Sequence, residues 1–166
     1  MTARVQWMWT TPILLEDLSD QLSPDDLASL RDAADDELVD VAAAFNLLDG
    51  LAAAFGNTTT RWSCHVQELA SGDYRSPGYD AAYVYAYLVL NRIEGTPHEN
   101  SGNIVFADPR AGIQNVFVPG MPWNKAISMR AEPGRLVGAP GWVSSMITPL
   151  ATGETLALLQ IRGWRA

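Results

Sequence analysis

The first third of the chain carries apolar residues at helical spacing. The segment Ser23-Pro24-Asp25-Asp26 predicts a helix start, because serine can cap, proline suits the first turn and the two acids face the positive end of the helix dipole. Gly50 and Gly56 are the expected breaks. We expect the apolar face to pack on a sheet rather than to bind a partner. That face comprises Leu27, Leu30, Ala34, Leu38, Val41, Phe45, Leu48, Ala52 and Phe55.

After Gly56 the pattern changes from helical to extended. Apolar, β-branched and aromatic segments alternate with turns that contain glycine or proline, which predicts strands over residues 58–66, 81–90, 103–106, 126–130, 135–138 and 155–161. By the period of two, Tyr83, Tyr85 and Tyr87 share one face of their strand. Residues 5–15 are also apolar but are interrupted by Pro12, which suits an edge strand.

This order of elements indicates a fold class. Helices first and many short strands afterwards predict an α+β fold whose antiparallel strands form a sandwich or barrel. With 166 residues and 48% hydrophobic composition, the chain has the size of one domain with a sizeable core. We therefore predict a single domain over residues 1–166, with a strand and helices in 1–56 and a strand-rich core in 57–166.

Charge and cysteine content narrow the set of partners. The net charge is −8, and residues 16–49 hold eleven acids against Arg31 alone, so that stretch carries −10 and the remainder about +2. We expect solvated helix faces and no nucleic-acid binding. The sequence has neither an apolar run of about 20 residues nor a signal-like start, so we expect no membrane partner and a cytoplasmic location. Cys64, the single cysteine, excludes an internal disulfide and suits a small buried apolar position.

Three segments carry a family resemblance. Residues 101–110 look like a G-x-L-x-F-x-D-P-R strand and turn, residues 132–137 like a P-x-x-G-x-L strand, and residues 139–149 like the pattern F-P-x-W-x-x-H-x-V-x-P. From Trp62 to Ile161 the chain thus resembles the iron- and 2-oxoglutarate-dependent oxygenases of the phage and bacterial type related to prolyl hydroxylases. The resemblance implies a double-stranded β-helix, a jelly-roll or cupin-like barrel, with the N-terminal helices packed on its sheet.

The positions that bind iron in that family differ here. Residues 72–80 resemble the stretch that carries the H-x-D or H-x-H pair, with Gly78 in the first ligand position and Asp80 in the second. Ser145 stands in the place of the distal histidine, and Leu156 in the place of the arginine that holds 2-oxoglutarate. Because such a site needs two imidazoles and one carboxylate, the resemblance implies a scaffold without the iron-binding triad. We expect no metal and no cofactor.

The sequence leaves three functions open. The first is an iron-independent enzyme, such as a cyclase, isomerase or dehydratase that acts on a biosynthetic, natural-product intermediate in the barrel pocket. The second is a non-catalytic ligand-binding or scaffolding protein. The third is an oxygenase with atypical metal ligands, such as Asp80 with His65. The expected partner is a small molecule, and a homodimer is left open.

The candidate site residues follow from these hypotheses. Asp80 and His65 are candidate acids or bases, and Ser145 is a candidate hydrogen-bond donor. His98 lies in a turn-rich loop and is expected to be exposed. The tyrosines and Trp142 are also natural core residues. The candidate substrate-binding residues are Trp62, Tyr83, Tyr85, Arg110, Trp142 and Leu156.

Overall fold

The computed structural model describes residues 5–8, 11–32, 42–54, 59, 61–96, 98–110 and 126–165. Two helices and ten strands lie in these ranges. Their bounds are β1 Val5–Met8, β2 Thr11–Asp17, α1 Pro24–Asp32, α2 Ala42–Ala53, β3 Arg61–Leu69, β4 Arg75–Gly78, β5 Val84–Ile93, β6 Asn103–Phe106, β7 Ile127–Arg130, β8 Arg135–Pro140, β9 Ser145–Ile147 and β10 Thr155–Trp164.

The strands form two antiparallel sheets. The larger sheet has six strands in the order β1-β2-β8-β5-β10-β3, and the smaller has four in the order β4-β9-β6-β7. β10 pairs with β5 on one side and with β3 on the other, with an irregularity between Ala157 and Leu158. The predicted α+β class with antiparallel sheets is confirmed.

Each face of the larger sheet has its own core. On β5, Val84, Ala86 and Leu88 pack beneath the helices, whereas Tyr85 and Tyr87 are buried on the face that packs with residues of the smaller sheet. This separation follows from the alternation of side chains along a strand. The second core is the one that ends at the candidate site described below.

Both helices lie on the outer face of the larger sheet, as the apolar pattern predicts. α1 contacts β5 and β10, and α2 contacts β2, β5 and β8. The predicted cap is confirmed, because the Asp26 backbone N–H donates to Ser23 Oγ over 3.2 Å and the Ser23 backbone N–H donates to Asp26 Oδ2 over 2.8 Å. Among the described residues, no helix has the length and apolarity needed to cross a membrane.

The predicted break at Gly50 is wrong, because Gly50 lies inside α2. A glycine costs a helix about 1 kcal/mol relative to alanine, and the fully buried Leu48 and Leu51 on either side supply packing that outweighs this cost. The remaining predictions for this region, over residues 33–41 and at Phe55 and Gly56, lie outside the described residues.

The edge strand predicted around Pro12 also needs correction. Residues 5–15 contribute to two strands, and β2 lies between β1 and β8 rather than at an edge. Pro12 is nevertheless tolerated, because the described pairing of β2 with β8 begins only at Leu14. Proline cannot donate a hydrogen bond, and here it sits before that ladder starts.

Tyr83 does not share a face with Tyr85 and Tyr87. It lies in a bend before β5 begins at Val84, and it packs against the core beneath the helices. Its backbone N–H donates to the Gly163 carbonyl over 2.8 Å. The period of two applies only within a strand, so it cannot be extended to a residue that precedes the strand.

Candidate functional site

The inner face of β10 changes from apolar to polar along its length. Leu156 and Leu158 are buried in the core between the two sheets. Two and four residues further on, Gln160 and Arg162 lie on the same face by the period of two. The polar half of this face therefore begins where the apolar core ends.

Neighbouring strands place more polar groups beside this half of β10. Gln160 lies opposite His65 on β3 and opposite Tyr87 on β5, and Arg162 lies opposite Tyr85. Directly opposed side chains in antiparallel strands are about 4.5–5.5 Å apart at Cβ. An imidazole, an amide, a guanidinium and two phenols thus meet on one patch of the sheet.

The carboxylate of Asp80 is buried and binds two residues of this patch. Its Oδ2 accepts hydrogen bonds from Gln160 Nε2 and Arg162 Nε, each over 3.0 Å, and its Oδ1 accepts one from the Ala82 backbone N–H over 2.9 Å. The Asp80 side chain is only 3% exposed, whereas that of Arg162 is 34% exposed. A carboxylate has about four acceptor positions, so protein donors occupy most of them. Asp80 thereby fixes the position of Arg162.

A second guanidinium comes from β4, across from the larger sheet. Arg75 Nη1 donates to Tyr87 Oη, and Arg75 Cζ lies 5.1 Å from the centroid of the Tyr87 ring. Tyr87 Oη is 3.2 Å from Ser145 Oγ. Burial lowers the pKa of Arg75, and the charge of Asp80 acts in the opposite direction. An arginine side chain nevertheless stays protonated in proteins, so its charge is held in a half-buried position.

A wide cavity of about 530 Å³, open to solvent, lies at this patch. Its walls carry two guanidinium groups, two amides and one imidazole, whereas the nearby Asp80 carboxylate is bound to the wall itself. Guanidinium groups bind carboxylates and phosphates through paired, charge-assisted hydrogen bonds. The cavity is therefore suited to an anionic group. The lining residues are His65, Gln67, Arg75, Gln160 and Arg162.

Three of the residues predicted for substrate binding lie away from this cavity. Tyr85 is fully buried, and its hydroxyl donates to the Val143 carbonyl over 2.8 Å. Burial raises the pKa of Tyr85, which keeps the phenol neutral. Leu156 is buried between the sheets, and Trp62 packs against the core beneath the helices, on the opposite face of β3 from His65.

The other three residues predicted for substrate binding also lie outside the lining of this cavity. Trp142 and Tyr83 line a second cavity, of about 580 Å³, next to Asp80. Arg110 forms a two-pronged ion pair with the buried Asp108, over 2.9 Å from Nε to Oδ1 and 2.5 Å from Nη2 to Oδ2. The hydrogen bonds that Arg110 donates to the Asp108 carboxylate raise the pKa of Arg110. This pair precedes residues 111–125, which lie outside the described ranges.

Sequence reasoning missed the cationic part of the site. Arg75 and Arg162 supply its charge, and Gln67 and Gln160 supply its amides. One signal was available, since Gln160 and Arg162 interrupt the apolar run of β10 with a period of two. Arg75 gives no comparable signal, because its partner Tyr87 lies on a different sheet.

The described residues at this end of β10 do not fit the two-histidine, one-carboxylate ligand set of an iron centre. The part of the chain that the structure describes contains no group of three histidine, cysteine, aspartate or glutamate side chains able to hold a metal. At the positions matched by the resemblance, Gly78 has no side chain, Ser145 lies against Tyr87, and Asp80 is bound to Arg162. Two guanidinium groups also make this region unfavourable for a cation.

Comparison with known proteins supports the same scaffold. No family profile and no curated protein matches the sequence. A prolyl 4-hydroxylase from Pseudomonas putida has a similar structure, with a TM-score of 0.62 and 16% identity over 99% of both chains. A prolyl hydroxylase from Trichoplax adhaerens, in complex with a peptide of hypoxia inducible factor, gives a TM-score of 0.56 and 11% identity over 99% of this chain and 66% of that one.

A third similar structure is an epimerase. SnoN, in complex with Fe³⁺, alpha-ketoglutarate and nogalamycin RO, gives a TM-score of 0.54 and 12% identity, over 99% of this chain and 68% of that one. At these identities the likeness shows the fold. The chain therefore has the fold of prolyl hydroxylases and related 2-oxoglutarate oxygenase-like proteins, and its chemistry has to be argued from its own residues.

Proposed function

We propose that this chain binds a small anionic molecule in the cavity at the polar end of β10 and acts on it without iron. One observation carries the proposal: Asp80, which the sequence resemblance matches to an iron ligand of the oxygenases, binds Arg162 and Gln160. The carboxylate thus serves to hold a guanidinium, and a held guanidinium is a binding group for carboxylate or phosphate.

The reaction class best supported is proton transfer within one molecule. His65 is exposed on β3 and lines the same cavity as Arg75 and Arg162. Imidazole is the side chain that most often moves protons near neutral pH. It could take a proton from a carbon next to the bound anion and return it elsewhere on the molecule, as in an isomerase or cyclase. A dehydratase would release that proton with a leaving hydroxide as water.

SnoN supports only the point that a protein of this fold can be an isomerising enzyme; its structure holds Fe³⁺ and alpha-ketoglutarate, so the iron-free part of the proposal rests on the residues of this chain. We therefore propose an isomerase, cyclase or dehydratase that acts on an acidic biosynthetic intermediate. Asp80 is then a positioning residue for Arg162, and His65 is the candidate acid or base.

Metal content and turnover test the proposal together. After anaerobic loading with Fe(II) and dialysis, we expect elemental analysis to find no stoichiometric iron and no 2-oxoglutarate to be consumed. One tightly bound iron per chain would overturn the proposal. In the presence of a chelator, incubation with biosynthetic acids should yield products of unchanged mass or products that have lost one water, measured by mass spectrometry.

Variants then separate the two roles. His65→Gln should lower kcat by about 100-fold or more, the usual scale for a positioned acid–base group. Asp80→Asn should act mainly on KM, because Arg162 loses the carboxylate that holds it. His98→Gln is the matched control, since His98 lies in a loop and receives a hydrogen bond from the Asn100 backbone N–H. Wild-type kcat in His65→Gln would exclude the proton-transfer role.

A second candidate function is non-catalytic ligand binding. The three donors that occupy the Asp80 carboxylate make it a poor proton acceptor, so catalysis would depend on His65, whereas binding needs only the guanidinium groups. Under this alternative the molecule binds and is recovered unchanged. His65→Gln then alters affinity alone.

A further inference from the structure

A second cavity lies beside the anion site and has a different character. About 580 Å³ in volume and wide open to solvent, it is lined by Arg165 and by four aromatic side chains near the ends of β4, β5, β8 and β10: Tyr79, Tyr83, Trp142 and Trp164. Of these, Tyr79 is 75% exposed and Trp142 is 47% exposed. Large apolar surfaces exposed in a concave place usually mark a binding site.

The wall of this cavity is held in place by backbone hydrogen bonds. Trp142 follows Gly141, whose N–H donates to the Tyr83 carbonyl over 3.0 Å and whose carbonyl accepts from the Asp80 N–H over 3.1 Å. A Cβ at Gly141 would overlap the Ala82 carbonyl oxygen, so only glycine permits this close approach. The exposed indole is therefore carried on a rigid turn, and a ligand that stacks on it needs to order little of the protein.

Asp80 links the two cavities. It lines the aromatic cavity, and its carboxylate binds Arg162 and Gln160, which line the anion cavity. The ion pair of Asp80 and Arg162 thus forms the partition between an aromatic surface and a cationic one. A ligand that extends past this ion pair would meet aromatic rings and Arg165 on one side, and Arg75 and Arg162 on the other.

We propose that the ligand is an aromatic acid, with a planar ring system against Trp142 and Tyr79 and a carboxylate at Arg162 and Arg75. This inference rests on the proposed function and narrows its anionic molecule to one class. Aromatic surfaces bind planar rings by stacking, and the fork of an arginine binds a carboxylate through two hydrogen bonds. The two surfaces are complementary to the two halves of such a molecule.

Isothermal titration calorimetry with three probes tests this arrangement on the metal-free chain. The probes are 2-naphthoate, 2-naphthamide, which has the same rings without the charge, and acetate, which has the charge without the rings. We expect 2-naphthoate to bind, and both other probes to bind at least about tenfold more weakly, the factor that corresponds to 1.4 kcal/mol. No measurable binding of 2-naphthoate at millimolar concentration overturns the inference, as does equal binding of 2-naphthamide.

Two variants test which residues bind the rings of the probe and which bind its carboxylate. Trp142→Ala and Arg75→Gln should each weaken 2-naphthoate binding by about tenfold, through loss of stacking and of a charge-assisted hydrogen bond respectively. Trp142 is partly exposed, so its replacement is compatible with folding. Arg31→Gln, at an exposed ion pair with Glu68, is the control and should bind like the wild type.

The outcomes also separate this inference from the proposed function. Two outcomes would refute the ring-binding surface and leave the anion site in place. One is that acetate binds as well as 2-naphthoate, and the other is that Trp142→Ala has no effect while Arg75→Gln weakens binding. Failure of the iron-free proposal would show in the metal content instead, which this titration does not measure.

Discussion

Replacing Glu154 by glutamine should remove a large part of the stability of the fold. Its carboxylate accepts hydrogen bonds from Ser101 Oγ, from the Ala151 backbone N–H over 2.9 Å and from Arg92 Nη2 over 2.5 Å. Arg92 also donates to the Ala131 carbonyl over 3.1 Å. This buried network joins the loop before β10 to the residues that precede β6 and follow β7, and so it ties the two sheets together.

The magnitude follows from burial. The side chains of Arg92 and Glu154 are 5% and 3% exposed, and breaking a buried pair on one side costs about 3–5 kcal/mol because a charge is left uncompensated. Glu94 Oε1 lies 3.4 Å from Arg92 Nε but belongs to a side chain that is 58% exposed, so it compensates only in part. We therefore expect Glu154→Gln to lower the free energy of unfolding by about 3 kcal/mol.

Urea unfolding followed by circular dichroism measures this change by linear extrapolation. Arg31→Gln is the control, since its ion pair with Glu68 is exposed and should contribute less than about 1 kcal/mol. The double variant Arg92→Met/Glu154→Leu removes both charges and should recover most of the loss. If Glu154→Gln costs no more than Arg31→Gln, the network does not stabilise the fold and the reasoning is refuted.

Three further predictions concern packing, pH and backbone space. Leu48→Ala should lower the free energy of unfolding by about 2–5 kcal/mol, measured by urea unfolding, because Leu48 is fully buried. Asp49→Ser, at the neighbouring exposed position, should lower it by less than about 0.5 kcal/mol. Equal losses would mean that α2 does not pack as described. Burial raises the pKa of Glu154, but its hydrogen bonds and the adjacent guanidinium outweigh burial and hold this pKa below the ordinary 4.5. The ionised Glu154 carboxylate therefore contributes its full stabilisation above the pKa that Glu154 has in the unfolded chain, and this stabilisation is lost as the pH falls through its pKa in the folded chain. The free energy of unfolding should accordingly depend less on pH in the acid range for Glu154→Gln than for the wild type. Gly141→Ala should destabilise the fold by about 1–3 kcal/mol, because the added Cβ overlaps a carbonyl oxygen. Gly50→Ala should stabilise α2 by about 0.5–1 kcal/mol, because no atom lies within 4 Å of the added Cβ. Thermal unfolding that shifts in the same direction for both variants would contradict this.

Strong periodic patterns made much of the fold predictable. The predicted strands over residues 103–106 and 135–138 correspond to β6 and β8, and that over residues 155–161 corresponds to most of β10. The short strands β4 and β9 were not among the predicted ones. β4 has four residues and contains Pro77, and β9 has three, so neither is long enough to show a period. Their place is set by pairing with each other, which a local pattern cannot reveal.

The candidate site was predictable only as far as the resemblance reached. It directed attention to Asp80 and Ser145, and both lie near the polar end of β10. Arg75 and Arg162 were missed because they are 87 positions apart in the numbering and meet through strand register. The ion pair of Asp80 with Arg162 shows why residue type alone is insufficient: a carboxylate read as an acid or base can instead serve to hold a cation.

The position of β10 has a consequence for how the chain assembles. β10 lies between β5 and β3, so these two strands, which precede it in sequence, have no common neighbour until residues 155–164 have been synthesised. A ribosome-bound chain that lacks this strand would expose an inner edge of β3 and another of β5, and unpaired edges invite association between chains.

Insertion of β10 would then complete both the larger sheet and the cationic cavity. It closes the larger sheet through pairings that span up to about one hundred residues, which is the kind of non-local contact that folds slowly. It also delivers Gln160 and Arg162 to Asp80, so the cationic cavity cannot exist in any earlier intermediate. Binding of the proposed anion would thereby report that β10 has entered the sheet, and such a ligand would stabilise the state in which this strand is paired.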